Sequence, residues 1–309
     1  MSSPKRHHYL PQFYLNAFCR DGGLWVFDRE RSEYRQQTPN NTALKQHYYS
    51  VEFSNGEKDT RIEEMLSLVE SRAKSVLEKL TSGAEITNEE RDEFALFTAF
   101  MMNRGPVFEK SVNAMQESLI RQIGDLMFAD EERTNQVMKD RERDTGEKPE
   151  VSAKELVDFY KRGAFKIKAH RNESLKMMLP LSLELANCFR QMNWGVFFAP
   201  PKTAFVTTDA PFVLLPPEDW KPSLFGYGVI TRGAKKLLPL SAYACFVMFD
   251  HGKDLFHRSI DAAAVRQINL IIARHCDRFL IARDEAHLRS VVRASGMESL
   301  KPTRLFSRA

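Results

Sequence analysis

Eight polar residues stand among apolar neighbours or at turns where a side chain can be held for chemistry: His7, His8, Gln12, Glu63, Glu70, Arg104, Asp209 and Asn269. Adjacent His7 and His8 offer a general acid or base, a metal ligand or a packed polar pair. In an extended chain they point in different directions, so at most one serves a given site. Glu63 and Glu70 are seven residues apart in a helical pattern and flank its apolar face beside Leu66 and Leu77. A carboxylate there needs a cation or hydrogen-bond donors, because unpaired burial is costly; the plainer reading is a solvated glutamate beside Lys74. Arg104 falls next to Phe97 and Met101 on a second stripe, just before Gly105-Pro106. It either snorkels to water or meets a buried carboxylate, which two antiparallel helices would make Glu63 or Glu70. Asp209, in Thr207-Thr208-Asp209-Ala210-Pro211, ends a strand beside an irregular loop, a place for binding groups and equally for turn formers. Asn269 lies inside a helical pattern and reads as a buried hydrogen-bonding residue.

Carboxylates, a histidine and an arginine are the parts of a hydrolytic or nuclease-like site. The expected catalytic set is His7, His8, Glu70, Arg104 and Asp209. A histidine or glutamate would activate water, and Arg104 would stabilise charge developing on a phosphate or carbonyl. Gln12 and Asn269 would contact substrate. Glu63, Glu70 and Asp209 could hold a divalent metal, and carboxylate-only ligation favours Mg²⁺ or Mn²⁺ over Zn²⁺. The rival expectation is a binding or effector protein in which the same residues form a structural network that locks the N-terminal arm onto the helices. A partner would then dock elsewhere, on the charged excursion 130–150 or the Pro-rich loop around Trp220. The chain has no Glu-x-x-His or His-x-x-x-His zinc pattern, no Gly-x-Ser-x-Gly elbow and no Gly-x-x-x-x-Gly-Lys phosphate loop.

The elements that must position these groups follow from periodicity. Leu24–Phe27, Glu33–Gln36 and His47–Phe53 read as short strands, with a polar turn at Asp28-Arg29-Glu30-Arg31-Ser32 between the first two. From Thr60 to Leu80, Ile62, Leu66, Val69, Ala73, Val76 and Leu80 recur at helical spacing. Thr87 and Glu90 form a capping box for a second helix, which Gly105-Pro106 should kink or end. Val107–Phe128 is helical, 130–150 is a charged helix fraying at Asp144-Thr145-Gly146, and Ser152 to Arg190 is helical again. Trp194–Phe198 and Ala204–Thr207 fit a hairpin around Pro200-Pro201-Lys202. Lys236–Leu240 and Ala244–Phe249 are two further strands. Asp261 caps a helix to His275, Phe279–Ala282 is a last strand, and a short helix begins at Glu285. The order predicts an α+β fold: a central bundle of long helices on a small, mostly antiparallel sheet built from N- and C-terminal strands. One domain is expected over 1–309, with a β-rich arm (1–58), a helical middle (60–190) and a C-terminal α/β segment (194–300).

His7-His8-Tyr9-Leu10-Pro11-Gln12-Phe13-Tyr14-Leu15 closely resembles the opening signature, His-His-Tyr-Val-Pro-Gln-Phe-Tyr-Leu, of a mainly bacterial family, domain of unknown function 4238. The resemblance continues through Ile62-Glu63, Glu70, Arg104 with Pro106, the Thr207–Pro211 segment, Pro239-Leu240-Ser241 and the Asn269 helix. Leu10 for valine and Thr208 for serine are mild departures. The resemblance implies a single globular protein and carries over no established catalytic residues.

Bulk properties narrow the classes. The 309 residues are 43% hydrophobic and 28% charged, ordinary for a globular chain. With 45 basic and 41 acidic side chains the net charge is only +4, which neither marks a duplex-DNA binder nor excludes nucleic acid as a partner. Cys19, Cys188, Cys245 and Cys276 are scattered, without metal-ligand spacing or the density of a disulfide scaffold. No signal-like segment or bilayer-length apolar run occurs, so a cytoplasmic protein with no membrane partner is expected.

Overall fold

The computed structural model describes residues 6–49, 51–52, 58–59, 61–163, 165–167, 171–222 and 226–297. The N-terminal elements are β1 (Arg6–His8), α1 (Gln12–Asn16), β2 (Leu24–Asp28), β3 (Glu33–Gln37), β4 (Leu44–Gln46), β5 (Val51–Glu52) and β6 (Lys58–Asp59). The helical middle holds α2 (Arg61–Ser82), α3 (Asn88–Asn103), α4 (Pro106–Met127), α5 (Glu131–Thr145), α6 (Ala153–Arg162) and α7 (Arg171–Phe189). Then follow β7 (Met192–Phe198), β8 (Thr207–Thr208), β9 (Val213–Leu215), β10 (Lys235–Pro239), β11 (Ala244–His251) and β12 (Leu255–Ser259). The last elements are α8 (Ala262–Arg274), β13 (Phe279–Ala282) and α9 (Glu285–Ser295). This is an α+β fold. Among the described residues, no helix is long and apolar enough to cross a membrane.

Helix ends fall where the sequence supplies caps. The Thr87 hydroxyl accepts from the Glu90 N–H while Glu90 accepts from the Thr87 N–H, so the expected capping box opens α3. Gly105-Pro106 ends α3 and starts α4, with proline at the first helical position, where no N–H is needed. The helical stretch expected from Ser152 to Arg190 holds two helices, and Gly163 closes α6 with a left-handed φ of 62°. The expected strand over His47–Phe53 is reduced to Val51–Glu52 after a turn at 47–49; Phe53 lies outside the described residues, as do Lys5, Thr60 and the tail beyond 297.

Residues 1–109 and 175–309 form one compact unit, and 110–174 a second. In the second, the Tyr160 hydroxyl lies 2.8 Å from both the Arg121 carbonyl and an Asp125 carboxylate oxygen. Gly124 lets that ring pass, since a Cβ there would come within 2.5 Å of it. The charged excursion is the helix α5, capped by Asp130 and closed by left-handed Gly146.

The first unit holds two larger sheets. One has the order β12-β7-β11-β10-β9, antiparallel except for the parallel β12–β7 pair. The other, β3-β2-β13-β8, joins N- and C-terminal strands and is antiparallel throughout. The sheet expected from both chain ends is thus the four-stranded one, and the C-terminal strands add a separate five-stranded sheet. The expected hairpin of 194–198 with 204–207 does not form. The Asn269 side chain takes the ladder's place: it accepts from the Val206 N–H at 3.0 Å and donates to the Ala204 carbonyl at 2.8 Å. β8 then pairs with β13 instead.

Helix α3 packs on the five-stranded sheet through Phe94, whose ring meets Trp194 and Phe246 at 6.0 and 5.4 Å. Arg91 lies over Trp194 and donates to the Arg190 and Met192 carbonyls, latching α3 to the start of β7. Arg91→Met keeps the apolar stem but leaves the buried Met192 carbonyl and the part-buried Arg190 carbonyl without their charged donor. Urea denaturation should show a loss of about 2 kcal/mol.

Candidate functional site

Strand β1 pairs antiparallel with β4, so His7 and His8 project to opposite sides. His7 is the inward one, only 1% exposed. Its Nδ1 accepts the Tyr49 N–H at 2.9 Å, its Nε2 lies 3.2 Å from a Glu63 carboxylate oxygen, and its ring stacks on Tyr49. The backbone donor on Nδ1 leaves Nε2 to carry the ring proton towards Glu63. Burial lifts the Glu63 carboxyl above its ordinary pKa despite His7, and neighbouring Glu64 and Glu70 add to the rise. Outward-facing His8 has Nδ1 3.2 Å from the Thr42 carbonyl and Nε2 3.1 Å from Gln12, which also reaches Asn40.

Arg104, the C-cap of α3, is buried, and all three of its guanidinium nitrogens are engaged. Nη1 donates to Glu70 at 2.7 Å, Nη2 to the His8 carbonyl at 2.9 Å, and Nε to the Tyr49 hydroxyl at 3.2 Å. The Tyr49 hydroxyl in turn donates to the Arg104 carbonyl at 2.9 Å. Burial alone would disfavour the guanidinium charge, but Tyr49 and Glu70 outweigh it and raise the pKa. The pairing of Arg104 with a glutamate of the preceding helix is therefore present, with Glu70 as partner. Glu63 pairs with His7.

Asp209 is engaged on another side. Both carboxylate oxygens accept the Arg278 N–H, at 3.2 and 3.0 Å, and the Cys276 thiol lies 3.8 Å from one of them. Its own N–H donates to the Phe279 carbonyl. Thr207 lies 2.6 Å from the Tyr14 hydroxyl of the arm, and the Thr208 hydroxyl accepts from the Ala210 N–H. The side chains of Thr207, Thr208 and Asp209 are thus each held by a partner within the chain. Asp209 and Gly105 meet the arm at Tyr9, around a cavity of only about 10 Å³, room for one water at most. Asn269 belongs to the clamp on 204–206. Among the described residues, no three His, Cys, Asp or Glu side chains are grouped so as to hold a metal ion.

Sequence reasoning missed Tyr49, the residue that joins the His7 pair to the Arg104 pair; the only local signal was its place in His47-Tyr48-Tyr49. It also missed Asp28, read as a turn residue. Asp28 is fully buried, takes Nε and Nη2 of Arg278 at 3.0 and 2.9 Å, and has Arg35 at 3.3 Å. Burial opposes its charge, but these arginines, Arg278 foremost, hold its carboxyl below the usual range.

With the arm, the α2–α3 pair and the Thr207–Pro211 segment in place, the chain's kinship can be stated. Residues 6–286 match the family described as Protein of unknown function (DUF4238). The chain belongs to that family. Neither a search of curated proteins nor one of solved structures gives a match.

Arg104→Ala leaves the Glu70 carboxylate, the His8 carbonyl and the Tyr49 hydroxyl short of a donor, and should cost about 3 kcal/mol in chemical denaturation. Asp28 has a lowered folded-state pKa, so its contribution is complete above the ordinary aspartate pKa, about 3.9, and is lost as pH falls through the folded value. Asp28→Asn should therefore be less stable than wild type at neutral pH, with the gap narrowing in melts taken at successively lower pH below about 4.

Proposed function

We propose that the chain is a non-enzymatic binding or effector protein, and that its signature residues form a buried structural lock rather than a hydrolytic centre. One observation carries this reading: His7, Arg104 and Asp209 are at most 3% exposed, and their polar atoms are committed to other parts of the chain. A histidine general base needs one nitrogen to be oriented and the other free to take a proton. In His7 the second nitrogen accepts a backbone N–H. An arginine that stabilises an oxyanion must face substrate, whereas Arg104 faces Glu70, Tyr49 and the His8 carbonyl. A surface for a partner is available on α4, where Met115, Leu119, Ile123 and Leu126 are 45–62% exposed at successive turns. Apolar stripes of this kind accompany association.

The hydrolase reading, nuclease-like or otherwise, keeps one observation in its favour. Glu63 and Glu70 are each about a quarter exposed at the side chain, and burial raises the Glu63 pKa towards that of a useful base. The purified chain, assayed against RNA, single- and double-stranded DNA and nucleotides with and without Mg²⁺ or Mn²⁺, separates the two. The lock predicts no turnover in any arm and a marked drop in melting temperature for Glu70→Ala. Turnover that Glu70→Ala abolishes while the melting temperature holds would reverse the assignment.

A further inference from the structure

A cavity of about 530 Å³ lies at the five-stranded sheet, bounded by the end of α7, the start of β7, the loop 229–232 and the ends of β10 and β11. Its volume is that of a small-molecule site. None of its lining residues belongs to the lock, so the two readings stand or fall separately. Met192, Val229 and Ile230 give it apolar walls. Its most unusual member is Lys236, 1% exposed, whose side chain makes a single hydrogen bond among the described residues, from Nζ to the Ala234 carbonyl at 2.9 Å.

An ammonium group carries three donors, so a buried one with a single acceptor is under-satisfied. Natural interiors rarely tolerate this without a partner. The charged and titratable groups that face Lys236 from the surrounding elements are Arg232, Asp250, His251 and Cys188. Asp250 is the only carboxylate among them, and one of its oxygens accepts the Gly233 N–H at 2.8 Å. The lining thus sets two cations, Lys236 and Arg232, against one carboxylate, with an apolar wall beside them. Burial brings the Lys236 ammonium down to about 8, against the opposing pull of Asp250, as expected of a buried cation with too few acceptors.

We propose that this cavity binds a small organic anion, its carboxylate or phosphate group paired with Lys236 and its apolar body against Met192, Val229 and Ile230. The anion supplies the acceptors that the ammonium lacks and restores its charge, so binding favours the protonated amine. Arg232 adds positive potential.

Calorimetric titration of the full chain with hexanoate, hexyl phosphate and uncharged hexanamide tests this. One or both anions should bind one to one and at least about tenfold more tightly than hexanamide, the equivalent of 1.4 kcal/mol. Whichever anion binds identifies the head group. The affinity should fall as pH rises above 8 in the wild type and stay flat in Lys236→Met, which should also lose the preference over hexanamide. Methionine fills a similar volume without a buried charge, so this variant should melt no lower than wild type. Ile230→Glu, at a position 77% exposed, places a carboxylate on the wall and should weaken the anions while sparing hexanamide. Anions that bind no better than hexanamide, or a preference that survives either substitution, would overturn the proposal.

Discussion

A guanidinium cannot be buried cheaply, and the N-terminal half of the fold is arranged around one that is. Arg104 sits at the C-terminal end of α3, where the helix's own partial negative charge favours a cation. Its remaining needs are met by three pieces of chain that are not neighbours in sequence: α2 through Glu70, the turn before β5 through Tyr49, and β1 through the His8 carbonyl. Because the arm is gripped at a main-chain carbonyl, its path is fixed independently of the His8 ring. His7 completes the arrangement by filling the gap between the Tyr49 N–H and Glu63. Each contact is geometrically demanding, and a buried charge punishes any departure from it. A single arginine therefore specifies where the arm lies.

That arrangement bears on how polar signatures are interpreted. A catalytic group needs an unspent lone pair or proton that faces a space where substrate can sit. In the lock the lone pairs and protons go to internal partners, and the adjoining space holds about 10 Å³. Lys236 is the opposite case: its donors outnumber its acceptors, and it borders about 530 Å³. Residue type is the same kind of evidence in both places. The difference lies in what remains unpaired.

What could be read from the chain alone was whatever local periodicity encodes. The capping box at Thr87, the break at Gly105-Pro106, the β10–β11 pair and the cap at Asp261 are written within a few residues of where they act. The Arg104–Glu70 pair was legible because two amphipathic helices joined by a short turn must run antiparallel. The hairpin expected after Trp194 failed for a non-local reason, since a side chain from α8 occupies the backbone groups that a strand partner would have used. Asp28 looked like a turn former because its principal partner, Arg278, is 250 residues away. Lys236 carried a weak clue: in a strand of period two it shares a face with Leu238, as Lys235 does with Leu237. Which of those two faces buries its lysine depends on how the sheet packs.

The seam between β2 and β13 has a kinetic side. Strands β2 and β3 are made early, yet a two-stranded hairpin is marginal alone, and its other neighbour begins at Phe279. Between them the chain must emit the whole helical middle, including a separate compact unit at 110–174. During synthesis the first hairpin therefore waits with one edge open until the last described strand arrives, and closing that long loop carries the corresponding entropic cost. An open edge is a template for wrong partners. On the other side of β2, β3 keeps its outer edge unpaired among the described residues even in the finished sheet, and its Glu33 and Arg35 are the kind of residues that keep such a strand from finding another copy of itself.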